Sequence, residues 1–88
     1  MNDPTPKLTR RQREFLDLLA ALQLENRGEP VHYSALAERL NVSNITAYNM
    51  LKVLETKGCV SSAYRLPEVR IGRSSIVFET TDVGRSML

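Results

Sequence analysis

The chain has one cysteine, Cys59, and one histidine, His32. A single thiol excludes an internal disulfide and a cysteine-paired zinc knuckle, and a lone histidine without further ligands at metal spacing argues against a metal site. Long apolar runs are missing too. Nothing approaches the ~18–20 residues of a membrane span, and the start, MNDPTPKLTRRQ, has no apolar stretch for a signal peptide. The expected location is the cytoplasm, with no membrane partner. The triplets Asn41-Val42-Ser43 and Asn44-Ile45-Thr46, which match a glycosylation pattern, are then coincidental. Charge of one sign is scarce, with 12 Lys and Arg against 10 Asp and Glu, a net +2. Catalytic arrangements are also lacking: no Ser-His-Asp or Cys-His set, no Gly-rich phosphate loop and no paired carboxylates on one face. Neither an enzyme nor a cofactor is expected.

What is present suffices for one small domain. Hydrophobic residues make up 42% and charged ones 25% of the 88 residues, so a core is available and the signature of disorder is absent. Residues 1–7, with two prolines and no periodicity, read as a flexible arm, and 8–88 as the folded domain. Thr9 followed by Gln12 is a capping-box spacing, and Phe15, Leu18, Leu19 and Leu22, widened by Leu16, mark one buried face of a helix from Arg10 to Gln23 or Glu25. Asn26-Arg27-Gly28 supplies the turn. A short helix over Tyr33–Leu40 carries Leu36, Ala37 and Leu40 on one side, with His32 or Ser34 as its cap, and Asn41-Val42 breaks it. Ser43 caps a third helix, Asn44 to Lys57, which stops at Gly58. At 100° per residue, Ala47, Met50, Leu51 and Leu54 face inward, while Ile45, Thr46, Asn49, Lys52, Val53 and Thr56 face away.

Beyond Gly58 the period changes. Val60, Ser62 and Tyr64 alternate with Ser61, Ala63 and Arg65, and Ile76 and Phe78 with Val77 and Glu79, which predicts two strands. Pro67 to Arg73 between them reads as a hairpin tip with basic character. Thr81 to Leu88 begins one more turn or helix.

The stretch Leu36-Ala37-Glu38-Arg39-Leu40-Asn41-Val42-Ser43, with Thr46-Ala47, Leu51, Leu54-Glu55, Lys57-Gly58 and Val60, resembles the helix-turn-helix of bacterial transcriptional regulators. Thr81-Asp82-Val83-Gly84-Arg85 adds a likeness to the MarR and iron-dependent repressor groups. The resemblance covers about Leu8 to Arg85. It implies an α+β fold, a small winged helix-turn-helix with three helices followed by a two-stranded β-hairpin wing and the start of a C-terminal turn or helix. This chain differs in having Asn41 in place of the usual turn glycine and Cys59 in place of a leucine. Because the groups carry long dimerisation helices beside this domain, the chain is expected to be a fragment of a longer regulator or to dimerise by other means.

The implied function is sequence-specific binding of double-stranded DNA, with the recognition helix 44–57 in the major groove and the wing 60–80 on the backbone or minor groove. The expected partner is a palindromic operator bound by a homodimer. Asn49 carries an amide suited to adenine, Thr46 can donate or accept, and Ile45 can pack on a thymine methyl. Ser43 and Asn44 lie where helix N–H groups favour phosphate, although Ser43 also serves as a cap. Tyr48 and Lys52 flank the exposed face, Tyr48 alternatively closing the core edge. Arg70 and Arg73 near the wing tip suit phosphate or minor groove, or else are solvated charges. Lys7, Arg10, Arg11 and Arg13 cluster where they oppose the helix dipole, and read either as phosphate contacts or as a solvated face. The alternative function is a winged helix that docks proteins, motivated by the +2 charge and by outward Ile45 and Val53.

Overall fold

The capping box at Thr9 forms as its spacing predicts. In the computed structural model, which describes residues 7–65 and 75–88, the Gln12 amide donates to the Thr9 hydroxyl at 3.1 Å and the Gln12 side chain accepts from the Thr9 amide at 2.9 Å. Helix α1 (Arg10–Glu25) buries Phe15, Leu16, Leu19 and Leu22. Leu16 is fully buried, while Leu18 is only partly so. The stripe is turned toward Leu16 because α1 packs on both the sheet and the third helix, which needs a wider apolar face than one neighbour would. The chain leaves α1 through Asn26, then Arg27 at φ 61° and Gly28 at φ 81°.

Two residues then form β1 (Val31–His32), pairing antiparallel with the last strand as Val31↔Phe78 and His32↔Val77. This third strand adds to the expected two-stranded wing. Helix α2 (Tyr33–Leu40) follows at once and ends at Asn41, whose φ of 56° is left-handed, a conformation asparagine tolerates better than most residues. Helix α3 (Asn44–Thr56) starts on Ser43, whose hydroxyl accepts from the Thr46 amide at 3.1 Å, and closes through Lys57 and Gly58, the latter at φ 81°. Strands β2 (Val60–Arg65) and β3 (Ser75–Thr80) pair antiparallel from Val60↔Thr80 to Arg65↔Ser75, so the sheet order is β1-β3-β2.

The core lies between the three helices and the inner face of this sheet. Phe15, Leu16, Leu19, Leu36, Leu51, Leu54 and Phe78 are completely buried, each contributing about 1.5–3 kcal/mol relative to an exposed side chain. Helix α4 (Asp82–Ser86) closes the far end. Its cap, Thr81, accepts from the Gly84 amide at 3.1 Å and donates to the Gly58 carbonyl at 2.5 Å.

Candidate nucleic-acid interface

Helix α3 divides its residues sharply. Ala47, Leu51 and Leu54 are buried, Met50 packs partly against the core, and Asn44, Ile45, Thr46, Asn49, Val53 and Thr56 are exposed. Ile45 is 73% exposed, far more than a residue held by internal packing. The outward set contains amides, hydroxyls and branched methyl groups without a formal charge. Such groups can meet base edges without desolvating an ion.

At the start of α3 the two hydroxyls are linked. Ser43 Oγ accepts from the Thr46 amide and donates to Thr46 Oγ1 at 2.9 Å, which leaves the Thr46 proton free to donate outward. Ser43 is exposed and caps the helix, so capping and nearness to the outward face coincide. Asn44 and Asn49 both remain exposed.

Lys52 is less available than its spacing implies. Its ammonium pairs with Glu55 at 2.7 Å, and Glu55 also accepts from the Ser62 hydroxyl on β2 at 2.6 Å. The hydrogen bond with Glu55 raises the Lys52 pKa. The same bond, followed by that from Ser62, lowers the pKa of Glu55. A phosphate contact by Lys52 therefore competes with a carboxylate already in place.

Tyr48 is half-buried, its ring edge-on to Tyr33 at 5.4 Å and to Phe78 at 6.2 Å. It joins the flank of α3 to the sheet, which places it at the edge of the core. Tyr33, which the sequence marks only as the first residue of α2, makes the contact with Tyr48 from the neighbouring helix. Its signal was an aromatic side chain at the first turn of the positioning helix, but which neighbour it meets depends on the angle between α2 and α3. Tyr64 on β2 is 74% exposed.

Arg70 and Arg73 lie outside the described residues. In the basic cluster at the start of α1, Arg11 pairs with Glu14 at 2.9 Å and lies 5.3 Å above the Phe15 ring, and Arg13 donates to the Met87 carbonyl. These are structural engagements. They supply a reason for positive charge there that the helix dipole does not. Cys59 is fully buried with its Sγ 3.6 Å from Met87 Sδ, and burial raises its thiol pKa, so it behaves as a small core hydrophobe. Among the described residues no helix is long and apolar enough to cross a membrane, and no three His, Cys, Asp or Glu gather as a metal site.

The fold is shared with solved regulators. The zinc-responsive MarR family member ZitR of Lactococcus lactis superposes with a TM-score of 0.66 at 21% identity, covering 92% of this chain and 49% of ZitR. The zinc-dependent MarR family transcriptional regulator AdcR, in its Zn(II)-bound state, gives a TM-score of 0.60 at 27% identity, covering 99% of this chain and 53% of AdcR. The chain thus spans about half the length of these regulators. No curated protein sequence matches it. Residues 5–66, which include the whole helix-turn-helix and β2, match the LexA DNA binding domain. The chain belongs to that family and is a winged-helix DNA-binding domain of the kind found in transcriptional regulators.

Proposed function

We propose that the domain binds double-stranded DNA sequence-specifically, with α3 in the major groove and the segment 60–80 on the flanking backbone or minor groove. The observation that carries this reading is the uncharged, exposed set Asn44, Ile45, Thr46 and Asn49 on the N-terminal half of α3, the part of a recognition helix that reaches base edges. Asn49 reads adenine through its amide, Thr46 adds a hydroxyl contact, and Ile45 offers an apolar one. Ser43, Asn44, Tyr48 and Lys52 set the helix against the backbone, and Arg70 and Arg73 contact phosphate or minor groove. The protein acts in the cytoplasm as a homodimer on a palindromic operator, its half-sites about one helical turn, ~34 Å, apart.

Binding measured across a salt series tests the reading. The affinity falls steeply with salt, and Asn49→Ala loses about 1–3 kcal/mol of discrimination at one base position, whereas Arg73→Ala weakens all sequences alike. A salt slope of zero on every duplex would sink it. Exposed Ile45 and Val53, together with the pairing of Lys52 to Glu55, favour one second reading, a protein-docking face. Chemical-shift changes confined to α3 and the wing on adding DNA decide against that alternative.

A further inference from the structure

Tyr33, Asn44, Ile45 and Tyr48 line a hollow of about 180 Å³ beside the start of α3. It is smaller than the ~300–1,000 Å³ of small-molecule sites, so it suits a protruding group better than a whole ligand. Its lining is largely hydrocarbon, from Ile45 and the two tyrosines, with Asn44 as the fourth residue. The rings are fixed in place. Tyr33 stacks on His32 at 4.2 Å, meets Tyr48 edge-on at 5.4 Å, and Tyr48 is held in turn by Phe78 at 6.2 Å. Three of the four lining residues belong to the outward or flanking side of the recognition helix, so the hollow is continuous with the DNA-binding face. Tyr33 alone comes from α2.

We infer that this hollow takes the 5-methyl group of a thymine, and that Tyr33 on the positioning helix is a specificity-determining residue together with Ile45 on the recognition helix. The methyl is the apolar group that distinguishes thymine in the major groove, where cytosine carries only a hydrogen at the same ring position. An apolar recess bounded by rigid rings gains from burying it and gains nothing from a polar edge. The inference rests on the major-groove reading above and assigns it a base.

The test uses the full chain. A binding duplex is selected from a random-sequence pool, and each of its thymines is then replaced singly by deoxyuridine, which removes only the methyl. Wild-type protein should lose about fourfold in affinity at one thymine per half-site, the worth of one buried methyl group. Ile45→Ala and Tyr33→Ala should bind the two duplexes equally, and Tyr33→Phe should keep the difference, since the ring and not the hydroxyl forms the wall. Ile45 is exposed, so its variant folds and decides the question even if Tyr33→Ala does not fold. Three results overturn the inference while leaving DNA binding intact: no uridine position weakening binding, either Ile45→Ala or Tyr33→Ala retaining the full thymine preference, or Tyr33→Phe losing it. A pool from which no sequence is enriched overturns the major-groove reading, and the inference with it.

Discussion

The two ends of this small domain are built on different principles. At the end closed by α4 the contacts interlock backbone against backbone. Gly84 lies so near the Cys59 carbonyl that a β-carbon there would stand 2.1 Å from its oxygen. Beside it Gln23 Oε1 accepts from both the amide and the hydroxyl of the buried Thr80, at 3.0 and 3.2 Å, and Arg85 donates to the Thr80 carbonyl at 2.9 Å. At the open end, by contrast, two helices begin close together, α2 capped by the His32 side chain and α3 by that of Ser43. At Gly84 the closed end leaves no room for a side chain, and a substitution there acts on stability. The open end keeps partly exposed groups that a ligand can meet, so substitutions act on stability modestly and on binding as well.

The largest effect should fall at the closed end. Gly84→Ala places a methyl group inside the van der Waals radius of a backbone oxygen, which cannot rotate away as a side chain would. Either α4 moves off Cys59 or the turn after Gly58 shifts. We expect a loss of about 3 kcal/mol, at the upper end of overpacking costs, read as a lower midpoint in urea. An unchanged midpoint would show that the closed end is as yielding as the open one. Ser43→Ala at the open end should cost less, about 1 kcal/mol, because one helix amide turns to water instead of a hydroxyl. It should also weaken binding to a selected duplex, which Gly84→Ala at permissive temperature should not.

The open end was the more legible in the sequence, because its governing signals are local. Ser43 three residues before Thr46 and Asn41 in a left-handed turn each declare a helix boundary without reference to the rest of the chain. The outward and inward faces of α3 followed from angle alone. What escaped depends on distant partners. Strand β1 has two residues, too few to alternate, and exists because β3 offers Val77 and Phe78 an edge to fill. The Lys52–Glu55 spacing was visible, but the Ser62 hydroxyl that holds Glu55 comes from a neighbouring strand. Tyr33 meets Tyr48 only through the approach of α2 to α3. The closed end reads in the sequence as the start of one more turn or helix, and its fit of Gly84 against Cys59 joins residues on either side of the wing.

The finest distinction between the two open-end caps is chemical. Ser43 does not titrate, whereas His32 caps α2 through Nδ1, which accepts from the Ser34 amide at 3.1 Å with Ser34 Oγ 2.8 Å away. Only the neutral ring can accept there. Partial burial lowers the His32 pKa, and a positive ring would also face the positive end of the helix dipole. Because the folded-state value lies below the ordinary one, the unfolded chain binds the proton first as the pH falls. The contribution is therefore fully present above about pH 6.5, declines as the pH drops below that, and levels off once the folded-state ring has also protonated. The effect should be smaller than deletion of the Ser43 cap, because the protonated ring keeps its stack on Tyr33. His32→Asn supplies a cap that does not titrate at these pH values. Urea midpoints of wild type and His32→Asn should run parallel above pH 7 and diverge below 6.5, with wild type falling the faster. Parallel curves throughout would mean that the α2 cap, like that of α3, is indifferent to protons.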